Sequence, residues 1–549
     1  MVLNIADLFE HTVDLVPGRT AAICGEVRRG YAELEARANR LAHYLAGRGV
    51  GPGNHVGVFT RNAIEALETM LAAYKLRAVA ININYRYVRA ELRYLFDNAD
   101  LVALVHERRF APLVAEVLPE VPGLGHVLVV ENGTENGTED GTEDGTEDDY
   151  TVYGGIAYEE ALASASPERD FPERSPDDRY VLYTGGTTGY PKGVVWRHGD
   201  VWRVLGGGMD FHTGVELDEW QQARQGAESA PTTWFPIPPL IHGAAQWAAL
   251  AALFGGNTVL LTAKFDAANV WRLIERHRAA VAVITGDAMG RPMIEALRAG
   301  DYDTSSLVAL ASSAALFSPS VKRQFLDALP NTVVTDSIGS SETGFGGIGI
   351  VGRDTEYAGG PRVPPGREVL VIDEAGRPVV PGSGVIGRFA RGGHVPLGYY
   401  KDPEKTAALF VEVDGARYVT PGDFARVEAD GTITLLGRGN TCINTGGEKV
   451  FPEEVEGTLK AHPGVFDAIV VGVPDERLGQ RVAAVVQARP GWKPDLPELN
   501  RRLRQSLAGY KVPRSLWLAE KVERTPSGKP DYRWAQRYTR ERSAFAHAD

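Results

Sequence analysis

The strongest constraint on the fold is an alternation: apolar runs of strand length recur between segments of helix length. The runs are His55–Thr60, Ala78–Ile83, Leu101–His106, His126–Glu131, Asn257–Thr262, Ala280–Thr285 and Leu307–Ala314. Residues 33–49 set Leu34, Ala38, Leu41 and Leu45 on one helical face and close with a glycine, and Ala63–Lys75 also reads as helix. Such an order predicts βαβ units and an α/β fold with largely parallel sheets. The length of 549 residues allows several domains, and 44% hydrophobic residues exclude general disorder.

Two later changes of pattern set the domain organisation. From Gly382 to Leu436 the chain reads as short β pieces with frequent glycines. From Lys449 it becomes compact α+β: a helix at VFPEEVEGTLKAH, strands at VFDAIVVGV and RVAAVVQAR, and a helix at LPELNRRLRQSLAG. The expected boundary lies at Gly437–Thr441, giving a large N-terminal domain over 1–437 and a small C-terminal domain over 438–549.

The net charge of −13 is mostly one local feature, because nine acidic residues and no Lys or Arg lie between Glu131 and Asp149. This tetrapeptide repeat (ENGTENGTEDGTEDGTEDD) lacks apolar side chains and is expected to be a solvated loop. The charge balance argues against a nucleic-acid binder. Cys24 and Cys442 are the only cysteines, so no disulfide framework or CxxC metal site is expected. MVLNIADLFEHTVDLV lacks a basic n-region and a long apolar core, so it is read as a first helix, not a signal peptide. No apolar run is long enough to span a bilayer. The expected location is cytoplasmic; peripheral membrane contact and homo-oligomerisation are compatible with the sequence.

Four motifs carry candidate chemistry. In Tyr183–Gly193 (YTGGTTGYPKG), Gly185, Gly186 and Gly189 let backbone N–H groups approach an anion. Thr184, Thr187 and Thr188 add hydroxyls, and Lys192 adds a point charge suited to phosphate. The competing reading is a plain Gly/Thr hairpin loop, and Pro191 excludes a Walker A loop. In Asp336–Gly344 (DSIGSSETG), Glu342 among hydroxyl residues suits Mg²⁺ shared with substrate phosphates, although a capped turn reads equally well. Asp423 and Arg438, each after a glycine, could serve a ribose diol or form only a surface ion pair. Thr525–Pro530 (TPSGKP) puts Lys529 on a tight turn, where an ordinary exposed lysine is the bland alternative.

Together, in order and spacing, these motifs resemble the core motifs of the adenylate-forming superfamily of acyl-CoA synthetases, luciferases and adenylation domains. The resemblance runs from residue 30 to residue 533 and implies a mobile C-terminal domain. It implies attack of a carboxylate on the ATP α-phosphate, then displacement of AMP by a thiol, usually that of CoA. On that resemblance, 184–193 and Ser341 contact the phosphates, Glu342 holds Mg²⁺, and Asp423 with Arg438 binds the ribose. Ser313, Ala314, Asp336, Ser337, Ile338 and Gly339 flank the adenine. Lys529 bridges the reacting carboxylate and α-phosphate, Asn440 is the hinge, and Gly446, Gly447 and Lys449 serve the thioester step. The sequence departs from the family pattern at Gly185 (usually serine), Ile338 (usually aromatic), Ser341 (usually threonine), Asn440 (usually Asp or Lys) and Arg77 (often glycine).

Trp234–Gly243 (WFPIPPLIHG) resembles the segment entering the acyl pocket, with His242 at a gating position; a core histidine is the alternative. It has no carboxylate to pair with an amino acid's ammonium, and the chain ends without a carrier domain, which favours a free apolar acid and CoA. The strings NYRYVRAELRYLFDNAD, LYTGGTTGYPKGVVWRH, TDSIGSSETGFGG and GYKVPRSLW are similar to those of bacterial sterol side-chain acyl-CoA ligases. The expected function is therefore an ATP-dependent acyl-CoA ligase acting on a C-26 steroid carboxylate of the 3-oxocholest-4-en-26-oate type. Medium- or long-chain fatty acids, and transfer of the acyl-adenylate to a carrier protein, are the alternatives. A non-catalytic nucleotide sensor is the rival of another class, opposed by the presence of Lys529 and Glu342.

Overall fold

The computed structural model describes residues 4–131, 150–184, 191–210, 213–313, 315, 317–352, 361–364, 366, 368–438, 441–445, 448–475, 478–505, 507, 509–525 and 528–547. The chain forms two compact units, one of Met1–Val283 with His394–Phe410 and one of Ile284–Gly393 with Val411–Asp549.

In the first unit, the strands Val79–Asn82, His55–Phe59, Leu101–Glu107, His126–Val130 and Ile156–Ala157 lie side by side in that order, all parallel. Helices Ile64–Lys75 and Arg89–Asn98 make crossovers between these strands, as parallel pairing requires. A second set runs Ala279–Ile284, Thr233–Pro236, Thr258–Leu261, Thr20–Cys24, again parallel, with Val27–Gly30 antiparallel at its edge. A third, antiparallel sheet pairs Arg179–Thr184 with Lys192–Arg197, and Gly398–Tyr399 adds to its edge. The N-terminal helix, Ile5–Leu15, is capped by Asn4, whose side chain accepts the Ala6 N–H at 2.8 Å.

Arg77 has φ 59° and ends the helix Ile64–Lys75. Its N–H donates to the Tyr74 carbonyl and that of Ala78 to Ala73, the paired bonds of a left-handed helix stop. A glycine is suited to that conformation, which gives a physical reason for the family's usual residue. Here the arginine's guanidinium pairs with Asp178 at 2.9 Å.

In the second unit, Ala309–Ser312 lies parallel to Val333–Ser340, which turns into the antiparallel strand Gly344–Ile350. A separate antiparallel sheet contains Arg362–Val363, Ile433–Arg438, Asp423–Val427 and Ile386–Arg391, the short-strand region expected from 382–436. The C-terminal part is built on a long hairpin, Val465–Asp475 against Gly479–Ala488, with Ser515–Leu518 beside it and helices Pro452–Lys460 and Tyr532–Glu541. The second expected C-terminal helix stops early, at Leu503, because its end tightens with the Gln505 N–H bonded to the Arg502 carbonyl. Leu507 still packs into the core with Leu499 and Leu516.

Candidate active site

Thr184 and Lys192 are the last register pair of the hairpin Arg179–Thr184/Lys192–Arg197, so they stand at the two feet of the glycine-rich connection. Gly185, Gly186, Thr187, Thr188 and Gly189 lie outside the described residues. The Lys192 ammonium sits 4.7 Å from the centre of the Tyr399 ring, a cation–π contact that orients it. His242 is half-buried at the N-cap of the helix Gly243–Phe254, where its carbonyl accepts the N–H groups of Ala245 and Gln246 at 3.1 Å.

One residue that sequence reasoning missed links these two places. The buried Asn82 donates to the carbonyls of Tyr183 at 2.8 Å and Ile241 at 2.7 Å, and accepts the Tyr183 N–H at 2.8 Å. It thereby ties the residue before Thr184 to the residue before His242. An isolated Asn in an apolar run, where a polar side chain needs partners, is the available signal.

In the second unit, Ser312 and Asp336 are register partners on neighbouring parallel strands. The Ser337 hydroxyl donates to the Ser312 carbonyl at 3.1 Å, and the Ser312 hydroxyl accepts the Gly286 N–H at 3.2 Å. Ser313 Oγ is buried and has no hydrogen-bond partner among the described residues, an acceptor or donor position that a polar ligand could satisfy. Ala314 lies outside those residues. Alternation along the strand leaves Ser337 half-buried and Gly339 exposed, whereas Ile338 packs in a core cluster with Val363, Val369 and Phe389. Asp336 is buried and ion-paired with Lys322; burial pushes its carboxyl up, against the pull of that ammonium.

Glu342 stands with Ser341 and Thr343 in the tight connection that joins Ser340 to Gly344. The Ser340 hydroxyl accepts N–H bonds from Glu342 at 3.2 Å and Thr343 at 3.1 Å, and the Thr343 hydroxyl accepts the Ser340 N–H at 2.9 Å. These bonds fix the turn from its own hydroxyls and leave Ser341 and Glu342 half-buried. Among the described residues no group of three or more His, Cys, Asp or Glu could hold a metal, so a Mg²⁺ ion there would need substrate oxygens beside Glu342.

Asp423 and Arg438 are register partners at the open end of an antiparallel pair. Lys529 is exposed on a turn closed by the Thr525 N–H to the Lys529 carbonyl at 2.8 Å and the Gly528 N–H to the Thr525 carbonyl at 2.8 Å. Gly528 has φ 78°, and a Cβ there would come within 3.0 Å of Ala288 Cβ, so the turn rests against the start of the helix Gly286–Ala299. The same helix grips the C-terminal part through charge: Lys460 Nζ lies 3.4 Å from the Asp287 carboxylate, and Arg291 donates to the Lys460 carbonyl at 3.1 Å. Burial works against the Asp287 charge, but Lys460 and Arg291 hold its carboxyl below the usual carboxylate range. Lys449 lies in the strand Glu448–Val450, its backbone opposite Asn444; Asn440, Gly446 and Gly447 lie outside the described residues.

Residues 9–400 match the family described as AMP-binding enzyme, and residues 454–529 match the AMP-binding enzyme C-terminal domain. The chain is 57% identical over 546 residues to a 3-oxocholest-4-en-26-oate–CoA ligase of Rhodococcus rhodochrous, covering 98% of this chain and 96% of that one. It is 55% identical over 546 residues to a medium/long-chain-fatty-acid–CoA/3-oxocholest-4-en-26-oate–CoA ligase of Mycobacterium tuberculosis (strain ATCC 25618 / H37Rv), covering 99% and 97%. The fold is similar to that of the anthranilate CoA ligase AuaEII in complex with anthranoyl-AMP, with a TM-score of 0.82, 21% identity and 98% of both chains covered. Both family matches fall in the expected order along one chain, and the relatives cover nearly its full length: this protein belongs to the AMP-binding enzyme family.

Proposed function

We infer that the protein is an ATP-dependent acyl-CoA ligase whose acid is a steroid C-26 carboxylate of the 3-oxocholest-4-en-26-oate type. The observation that carries this reading is the 57% identity, over 98% of the chain, to a relative named for that reaction. The site chemistry supports it. Thr184, Lys192 and the glycine-rich connection between them cradle the β- and γ-phosphates, with Ser341 adding a hydroxyl. Glu342 is the residue that would hold Mg²⁺, and the ion would supply charge neutralisation on the phosphates. Ser313, Ser337 and Gly339 border the adenine, and Asp423 with Arg438 takes the ribose. Lys529 offsets the negative charge that gathers between the attacking carboxylate and the α-phosphate, a preorganised electrostatic role.

In the second half-reaction the CoA thiol attacks the acyl carbon and AMP leaves. We assign Gly446, Gly447 and Lys449 to that step, Asn440 to the hinge and 438–549 to the moving domain. Use of ATP and CoA supports a cytoplasmic location, and no helix among the described residues is long and apolar enough to cross a membrane.

A second reading, medium- or long-chain fatty acids, is favoured by the name of the Mycobacterium tuberculosis relative. The test is pyrophosphate and AMP release with ATP, Mg²⁺ and CoA across fatty acids, a 3-oxocholest-4-en-26-oate and a shorter-side-chain steroid acid. Higher kcat/KM on the C-26 acid supports the steroid reading; higher kcat/KM on fatty acids replaces it with the second.

A further inference from the structure

The Lys529 turn is held from one side by a residue outside the Thr525–Pro530 motif. Arg524 lies just before the turn, and its backbone bridges to Pro530 just after it. Its guanidinium makes a two-pronged pair with Asp467, Nε to Oδ2 at 2.7 Å and Nη2 to Oδ1 at 2.6 Å. The remaining nitrogen, Nη1, donates to the Gly528 carbonyl at 3.0 Å. That carbonyl belongs to the peptide bond joining Gly528 to Lys529, so the bond fixes the plane from which the Lys529 side chain departs. Asp467 is itself anchored, on the strand Val465–Asp475, where its Oδ1 accepts the Ala468 N–H at 2.8 Å. The pair is largely buried, with side-chain exposures of 15% for Arg524 and 11% for Asp467.

We propose that Arg524 is a positioning residue for the adenylation step, holding the Gly528–Lys529 peptide so that Lys529 is presented to the reacting groups. The proposal rests on the reading of Lys529 given above. Two physical features support it. A guanidinium is planar and offers donors on fixed vectors, so locking two of them on Asp467 fixes the direction of the third. Asp467 also neutralises Arg524, which otherwise would place a second, unpaired positive charge beside the Lys529 ammonium. A lysine at 524 could keep the ion pair but has no rigid fork with which to hold the carbonyl as well. A misplacement of about 1 Å at a catalytic group costs on the order of a hundredfold in rate.

The test compares full-length R524K, R524A, K529A and the R524A/K529A double variant in two assays. Adenylation is followed as single-turnover pyrophosphate release without CoA, and thioester formation is started from preformed acyl-adenylate and CoA. For R524K the expected result is a loss of about tenfold or more in the adenylation rate, with ATP KM within about threefold and thioester formation within about threefold of the unaltered chain. In the K529A background, R524A should add no further loss to adenylation. A purely structural role would lower both half-reactions and the melting temperature together, and would overturn the proposal. So would an R524K rate equal to that of the unaltered chain, or losses that multiply in the double variant. Should K529A itself keep adenylation intact, the reading of Lys529 fails and this proposal falls with it. A large K529A loss with an unaffected R524K defeats the role of Arg524 alone. R524K retains the charge opposite Asp467, so it reports even where R524A does not fold.

Discussion

The side chain of Asn82 pairs with both backbone groups of Tyr183, donating to its carbonyl and accepting its N–H, each at 2.8 Å. A primary amide thus replaces the neighbouring strand that would otherwise satisfy the residue before Thr184. Asn82→Leu keeps the branched heavy-atom shape, though with larger methyl ends, and leaves the Tyr183 N–H and carbonyl and the Ile241 carbonyl without that partner. The expected cost is about 2–3 kcal/mol of stability, with a raised KM for ATP as the end of the strand loosens. Urea denaturation and ATP-dependent pyrophosphate release measure the two effects; an unchanged midpoint would mean that other groups satisfy Tyr183.

Gly528 combines a left-handed φ of 78° with an approach of 3.0 Å to Ala288 Cβ. Gly528→Ala therefore meets both backbone strain and a side-chain contact, and should slow adenylation by about tenfold or more. Ala288→Gly in the same chain removes the contact but not the strain. Partial recovery in the double variant is the expected outcome; no recovery would show that backbone strain alone accounts for the loss.

Asp287 is buried between Lys460 at 3.4 Å and Arg291 at 3.6 Å. Its carboxyl is held below the ordinary carboxylate value, so its contribution to stability is present above that value and is lost as pH falls through the depressed one. Asp287→Asn strands two buried cations and is expected to cost about 3–5 kcal/mol. Thermal melts from pH 3 to 7 should show the variant less stable at neutrality, with the gap closing towards acid.

His394 is clasped at both ring nitrogens, Nδ1 to Asp200 at 2.7 Å and Nε2 to Glu216 at 2.8 Å. The hydrogen bond to Asp200 raises its imidazole above the ordinary value, against the opposing effect of burial and with help from Glu216. Arg197 at 3.4 Å from Asp200 and Arg203 at 2.6 Å from Glu216 share the same carboxylates. A raised imidazole stabilises the fold below its unfolded value of about 6.5, and that share is lost as pH rises through the folded value. Solvent screening of the partly exposed carboxylates keeps that share small. The melting temperature of His394→Gln should lie below that of the unaltered chain at pH 6 and approach it at pH 9; a constant gap would rule out protonation as the cause.

Lys75 is fully buried against Glu10 and, at 3.3 Å, Glu35, with Arg174 also on Glu10 and Arg169 on Glu35 at 2.6 Å. Lys75→Met should lower stability by about 3 kcal/mol, because the remaining arginines compensate the two carboxylates only in part. Urea unfolding gives the value, and a neutral result would mean that Arg174 and Arg169 suffice.

The parallel strands were legible because each apolar run announces itself locally: Leu101–Glu107 and Ala279–Ile284 fall within a residue or two of their expected limits. The meander also placed Asp423 and Arg438 on facing strands, since a hairpin's register follows from nearby residues. Long-range polar pairing was not legible. Asn82 and Tyr183 are 101 positions apart, and nothing in either local pattern names the other. Asp336 illustrates the same point: its motif suggests an adenine contact, while its carboxylate is buried against Lys322 on a different element. Ile338 likewise sits in a ligand-like string, yet strand alternation turns its side chain into the core.

The short run from Thr285 to Ala288 touches the Ser312 hydroxyl, the Lys460 ammonium and the Gly528 turn in succession. Any motion that parts the helix Pro452–Lys460 from the helix Gly286–Ala299 must uncover a buried carboxylate and a buried ammonium together, and water has to enter before they separate. The swing proposed for the C-terminal part would thereby be a hydration event, one that osmotic stress would retard even with every substrate saturating.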